Sequence, residues 1–438
     1  MTLTNGQQQA INAFNRGDPL VVTGPAGVGK SYLISEMSRL ADMNFKSIGL
    51  TSTTGTSAIA MGGVTIHSYL GIGLGVDSVE VLHKKIMYNR DAVSRYHVDI
   101  LVIDEVSMMT RALFDKIEHL ARLVRRNSDF FGGIQLVLMG DLFQLAPVNY
   151  QEHGYITESL VFKQNFNKDN IIILSEIIRQ KDIVMQQFLN EIRMTTDSSK
   201  LSSGSLSILD ALSNKTYPET DIRPTRLYSH RADSNAENTR HLAGLKGAAH
   251  TIMGTTRCVY KRNGGVKRNF DPEPHIKKME MSCNTSGVLS FKVGAQVMIT
   301  KNLDQESGIV NGSRGVITEI SQLSSAAADT TVHVKLMDGR IYPVSCQKWE
   351  MKIDDNVSVV REQIPLMLAY AYTIHKCQGA TLDCVLVDIT RVFEYGQVYT
   401  ALSRTKTMEG TYLFGYNKGS IMKLANPDIV SYINGLYE

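Results

Sequence analysis

The chain has 438 residues, long enough for two or three domains with sizeable cores, and its 43% hydrophobic and 20% charged content is ordinary for a soluble globular protein. The net charge of +3 is too mild to argue for a nucleic-acid partner by itself, so any such site must come from local patches. No apolar run is long enough to span a bilayer, and the polar start MTLTNGQQQAINAF lacks the basic-then-apolar order of a signal peptide. Five scattered cysteines with no CxxC pair read as reduced thiols of an intracellular protein, nuclear or cytoplasmic, with neither a zinc site nor a disulfide framework.

The first part alternates strands and helices. PLVVT reads as a strand, SYLISEMSRLA as a helix, KSIGLTS and DILVIDEV as strands, RALFDKIEHLARLVRR as an amphipathic helix and GIQLVLMGD as a further buried strand. This alternation predicts an α/β doubly wound parallel sheet over residues 1–190. Residues 64–96, with GIGLG and weak periodicity, read as a small insertion. TTDSSKLSSGSLS at 195–207 reads as a mobile linker. The second domain, 191–438, opens with strand and helix in TRLYSHRADSNAENTRHLAG. Short alternating runs at 313–360, with a turn at Asp338-Gly339, predict an inserted antiparallel β-barrel. The α/β pattern then returns in LMLAYAYTIHKCQG, CVLVDIT, VYTALSR and TYLFGY, with no second phosphate loop.

The chemistry begins at GPAGVGKS, which fits GxxxxGKS in full. Gly24, Gly27 and Gly29 let backbone N–H groups face phosphate oxygens, with Pro25, Ala26 and Val28 between them and Tyr32 just beyond. Lys30 is expected on the β- and γ-phosphates of a nucleotide and Ser31 on Mg²⁺. Asp104 and Glu105 end a buried strand, where Asp104 can hold Mg²⁺ through water and Glu105 can polarise an attacking water; solvated acids are the plainer alternative. Asp141 and Gln144 follow the next buried strand, and ligands of such sheets sit beyond the strand ends, so Gln144 can reach the γ-phosphate. Arg179 and Arg404 are candidates for an arginine finger, against the commoner surface ion pair.

These motifs, in this order, resemble superfamily 1B helicases, specifically the petite integration frequency (Pif) family of 5′-to-3′ DNA helicases. LTNGQ, TSTTGTSA, GGVTIHSYLGIGLG, the stretch from LFDKIEHLARLVRR to LVLMGD, VGAQVMITKNLDQESGIVNGSRGVI, LMLAYAYTIHKCQGATLD and GQVYTALSR carry the resemblance, from about residue 3 to 415. It implies two RecA-like domains with ATP and Mg²⁺ between them and single-stranded DNA across both. Gln7 would read adenine, Gln378 and Gly379 would couple the ATP and DNA sites, and His67 would lie near DNA. Lys30, Glu105, Gln144, Arg179 and Arg404 would be catalytic. The insertion at 64–96 would be the wedge and the barrel the 2B insertion. Val28, Ala146 and Cys377 depart from the family's usual Thr, Pro and Ser, and none of these changes removes a charged group. The chain starts almost at the glutamine motif, which would suit a compact prokaryotic or viral form.

Single-strand binders combine backbone contacts with stacking. Thr53, Thr54 and Ser57 suit the first role; His67, Phe143 and His375 suit the second, with packed core rings as the alternative. Lysine and arginine pairs such as Lys84-Lys85, Arg125-Arg126, Lys261-Arg262, Lys267-Arg268 and Lys277-Lys278 read mostly as solvated surface. The resulting expectation is an ATP-dependent 5′-to-3′ DNA helicase that works as a monomer on single-stranded, duplex and tailed DNA, with quadruplex DNA left open and no membrane partner. A RecD-like motor subunit of a larger complex, an RNA-directed motor and a nucleotide-dependent DNA-binding switch are the alternatives.

Overall fold

In the computed structural model the described residues are 3–147, 149–178, 182–217, 222–260, 271–283, 285–304, 306–353, 357–417 and 422–436. The chain divides into two units: Met1–Leu201 with Glu394–Tyr399 and Ile421–Glu438, and Ser202–Phe393 with Thr400–Ser420.

Six parallel strands build the first unit: β1 (Leu20–Thr23), β2 (Ile48–Ser52), β3 (Val64–Thr65), β4 (Ile100–Asp104), β5 (Gln135–Gly140) and β6 (Ile171–Ile173), ordered β3-β2-β4-β5-β1-β6. β1 and β4 are buried along their whole length, because helices cover both faces of a parallel sheet; this is why the sequence there is unbroken apolar rather than alternating. The helix Lys30–Met43 turns Leu33, Ile34, Met37 and Ala41 inward, and Arg111–Arg125 turns in Phe114, Ile117, Leu120, Ala121 and Val124, the spacing of one helical face. Thr110 starts the latter helix by accepting a hydrogen bond from the Leu113 N–H.

Residues 64–96 are organised despite their weak periodicity. Val64–Thr65 joins the sheet as an edge strand, and the rest folds into helices Ile66–Tyr69, Val79–Met87 and Arg90–Arg95 of four, nine and six residues. The four- and six-residue helices hold too few turns to display a period, and in Val79–Met87 it rests on Leu82 and Ile86, buried four residues apart. The Ser/Thr-rich stretch expected to be a mobile linker is also structured. Asp197 caps a 3₁₀ turn at Ser198–Lys200, and Ser202 caps the helix Ser203–Asn214, so the hydroxyls mark helix starts. The C-terminal residues, placed by the alternation in the second domain, pack with the first unit: Asn426 caps the helix Pro427–Gly435, and its Nδ2 donates to the Tyr155 hydroxyl at 3.0 Å.

The second unit contains its own parallel sheet, ordered Ala371–Thr373, Thr225–Tyr228, Val385–Asp388, Thr411–Phe414. The stretch at 313–360 is antiparallel, as its alternation predicts, but it is divided between two sheets. Arg314–Gln322, Thr330–Leu336 and Ile341–Ser345 join Gln296–Ile299 and Leu366–Leu368 in five strands, whereas Gln347–Lys352 and Val357–Gln363 join Thr255–Tyr260 in three. Both sheets recruit strands from outside 313–360, a pairing that no local pattern encodes. No helix among the described residues is long and apolar enough to cross a membrane.

Candidate active site

The loop 24–29 links β1 to the helix Lys30–Met43. Gly29 has a φ of 84°, a conformation that favours glycine, and a methyl group there would lie 2.7 Å from Gln7 Nε2 and displace that amide. Gln7 is buried and used at both ends: its Oε1 accepts from the Thr4 N–H at 3.1 Å, and its Nε2 donates to the Val28 carbonyl at 3.0 Å. It therefore clamps the loop from the first helix, Asn5–Arg16.

Lys30 Nζ donates to the carbonyls of Gly24 and Pro25 at 2.8 and 3.0 Å. Loss of hydration lowers its pKa, opposed by the charges of Asp141, Glu105 and Asp104. Three acids from two other strand ends thus act on one ammonium. Asp104 closes β4, and burial raises its pKa against hydrogen bonds from Ser57 and the Glu105 backbone. Glu105 follows with φ 54° and ψ 43°, a left-handed conformation that is costly for a side-chain-bearing residue and concentrated at functional sites. Gln144 is buried near the β5 turn, and its N–H donates to the Asp141 carbonyl at 2.9 Å. Ser31 and Tyr32 start the helix and are exposed.

Asp141 is held by a buried ion pair and a tyrosine hydroxyl. It is fully buried and paired with Arg193 at 2.9 Å, and the Tyr399 hydroxyl donates to its Oδ2 at 2.8 Å. The same Tyr399 oxygen accepts the Ala26 N–H of the phosphate loop at 3.1 Å. Burial alone would raise the Asp141 pKa, but Arg193, Lys30 and these hydrogen bonds hold it below the ordinary carboxylate range. The sequence reading gave Arg193 and Tyr399 no role. Arg193 had a signal: it falls on the buried stripe of Ile183–Met194 with Met185, Phe188, Leu189 and Ile192, and a charge on such a stripe needs a buried partner. Tyr399 had none beyond its place in GQVYTALSR.

The expected DNA-facing groups divide. Thr53 Oγ1 donates to the Glu105 carbonyl at 2.7 Å, Thr54 Oγ1 accepts the Ser57 N–H at 3.3 Å, and Ser57 Oγ donates to Asp104 Oδ2 at 2.5 Å. Phe143 is corrected: it is 3% exposed and Arg193 lies 4.4 Å over its ring, so its face is taken by a guanidinium rather than offered to a base. His67 is half-buried in Ile66–Tyr69. In the second unit His375 is half-buried, and burial lowers its pKa; Gln378 is buried and Gly379 has φ 79°. Arg404 is buried there too, donating to the Thr400 carbonyl and the Ser403 hydroxyl, both at 2.8 Å. Arg179 lies outside the described residues, as do Lys261, Arg262, Lys267 and Arg268. Arg125 is structural, donating to the carbonyls of Gly132 and Tyr96.

A family profile described as PIF1-like helicase matches residues 2–199, and one described as DNA helicase Pif1, 2B domain, matches 276–320. The crystal structure of Pif1 helicase from Candida albicans is 32% identical, with a TM-score of 0.76 over 100% of both chains. The chain belongs to the Pif1-like helicase family. Its two parallel sheets with their helices are accordingly RecA-like, and the second unit contains antiparallel sheets in addition. The ATP-dependent DNA helicase PIF1 of Danio rerio is 32% identical over 439 residues; the match covers 99% of this chain, which spans 64% of the length of that relative. A Bacteroides Pif1 helicase in complex with ADP-AlF3 and ssDNA is 26% identical, with a TM-score of 0.63 over 100% of this chain and 98% of that one.

Proposed function

We propose that the chain is an ATP-dependent DNA helicase and translocase that moves 5′ to 3′ on a single strand. The observation that carries this reading is the phosphate-loop geometry: Lys30 is anchored on the Gly24 and Pro25 carbonyls, and the acids Asp104, Glu105 and Asp141 stand at the ends of the adjacent strands β4 and β5. Pif1-like membership supports it, as does the Bacteroides relative in complex with ADP-AlF3 and ssDNA.

In this reading the loop from Gly24 to Gly29 cradles phosphates with its N–H groups, and Lys30 exchanges its carbonyl partners for phosphate oxygens. Glu105 accepts a proton from the attacking water, and Gln144 orients the γ-phosphate. Ser31 and Asp104 supply the oxygen donors that Mg²⁺ prefers, and would hold it. Bound there, it would neutralise charge on the phosphates. Gln7 acts near the base and through its clamp on Val28. Arg404 would give up its bonds to Thr400 and Ser403 to serve as a finger, and Arg179 is the second candidate. In the first unit the backbone around Thr53 and Thr54, with His67, is proposed to contact DNA; in the second unit His375 is the candidate DNA contact, and Gln378 and Gly379 the candidates for coupling DNA binding to hydrolysis. The proposal extends to action as a monomer, on quadruplex as well as tailed DNA.

The test is strand separation with ATP on a duplex with a 5′ single-stranded tail and on one with a 3′ tail, with Lys30→Ala as control. Unwinding of only the 5′-tailed duplex, lost in the variant, is expected. Unwinding of only the 3′-tailed duplex would overturn the polarity. DNA-stimulated hydrolysis without unwinding would favour a motor subunit of a larger complex. Nucleotide-dependent DNA binding without turnover would favour a switch.

A further inference from the structure

The loop that follows β2 is joined to the acid pair by its own hydroxyls. Ser52 pairs with Asp104 in the β2–β4 register, and its Oγ donates to the Asp104 carbonyl at 3.3 Å. The Thr53 N–H donates to the same carbonyl at 3.1 Å, while Thr53 Oγ1 donates to the Glu105 carbonyl at 2.7 Å. Thr54 then turns the chain into the helix Gly55–Ala60 by accepting the Ser57 N–H. That turn delivers the Ser57 hydroxyl to Asp104 Oδ2 at 2.5 Å. The backbone of the acid pair and one carboxylate oxygen thus receive four hydrogen bonds from Ser52, Thr53 and Ser57.

We propose that Ser57 is a positioning residue for hydrolysis: it fixes the Asp104 carboxylate so that the other oxygen faces the Mg²⁺ position. This rests on the ATP-site reading above and deepens it. The physical reason is the carboxylate's burial. Asp104 is 8% exposed, so little water is available to satisfy or orient it, and the Ser57 hydroxyl, with the Glu105 backbone, decides which way it points. Groups that hydrogen-bond to a metal-binding carboxylate set its orientation and basicity, and their removal typically weakens metal binding by about 10- to 100-fold. The hydroxyl that the sequence suggested for DNA is spent on the acid. The same loop presents Thr53 and Thr54 to the proposed DNA track, so a shift of the loop on DNA binding would reach Asp104 directly through Ser57.

The experiment is a titration of Mg²⁺ into the full chain with a fluorescent ADP, without DNA and without turnover, for the wild type, Ser57→Ala and Ser57→Thr. For Ser57→Ala the Mg²⁺ concentration at half-saturation should rise about tenfold. ADP affinity in EDTA and single-strand affinity should stay at wild-type values, and Ser57→Thr, which keeps the hydroxyl, should restore the Mg²⁺ response. An unchanged Mg²⁺ titration in Ser57→Ala would overturn the assignment. Weakened single-strand binding with an unchanged Mg²⁺ titration would do so in favour of a direct DNA contact. Wild-type ADP binding that ignores Mg²⁺ would overturn the metal reading of Asp104 itself, and the Ser57 role with it.

Discussion

Replacing Arg193 by Met tests the buried centre of the site most directly. Arg193 is 6% exposed and Asp141 fully buried, so the variant leaves a carboxylate inside the unit without its ion-pair partner. Methionine keeps an apolar stem against Phe143, which confines the change to the charge. Breaking a buried pair on one side costs about 3–5 kcal/mol. The retained Tyr399 hydrogen bond and the Lys30 charge place this case at the low end. About 3 kcal/mol in a unit of this size corresponds to a fall in melting temperature of roughly 6–12 °C. The double variant Asp141→Asn with Arg193→Met removes both charges and should recover most of the loss, because the unpaired charge rather than the missing contact is what costs. The pH dependence gives an independent sign. Asp141 has a folded pKa below its unfolded value of about 3.9, so its stabilisation is present above that pH and is lost as pH falls through the folded pKa. In Arg193→Met the ion-pair part of that stabilisation is already gone, so the variant has less of it to lose as pH falls. The melting-temperature gap between wild type and variant should therefore narrow as pH drops below about 4. The measurement is thermal unfolding by circular dichroism across that range. A loss under about 1 kcal/mol, or a double variant as unstable as the sum of the singles, would refute the buried-pair reasoning.

Glu105→Gln should bind nucleotide normally yet hydrolyse it roughly 10²- to 10⁴-fold more slowly, read by single-turnover phosphate release; undiminished turnover would remove Glu105 as the base. Gly29→Ala must hold a φ of 84° with its methyl 2.7 Å from Gln7 Nε2. It should cost roughly 1–3 kcal/mol in unfolding and weaken ADP binding measurably, since the loop and the Gln7 clamp move together. His375, with its pKa lowered by burial, should titrate below the ordinary value of about 6.5 and be neutral at pH 7, as followed by the C2–H signal in NMR. Titration at or above that value would place the ring in water.

The sequence by itself determined what is local. Strand-helix alternation predicts the parallel sheet because a strand covered on both faces reads as an apolar run, and a helix covered on one face reads with period 3.6. GPAGVGKS could be read as a phosphate loop because its glycines, lysine and serine act through geometry fixed within eight residues. Asp104 and Glu105 were legible from their place at the end of ILVID. Hydroxyls were visible but their duties were not: in TTDSSKLSSGSLS they cap helices, and in TSTTGTSA they tie a loop to the acid pair. Only the tertiary structure decided the pairings between distant segments. Arg193 meets Asp141 from 52 residues away and Tyr399 reaches it from 258 away. The strands at 313–360 divide between two sheets according to partners that lie outside that stretch. The last helix returns to the first unit through Asn426 and Tyr155. A buried charge or an open strand edge fixes that a partner must exist, through the cost of leaving it unpaired, but which partner arrives depends on how the whole chain closes.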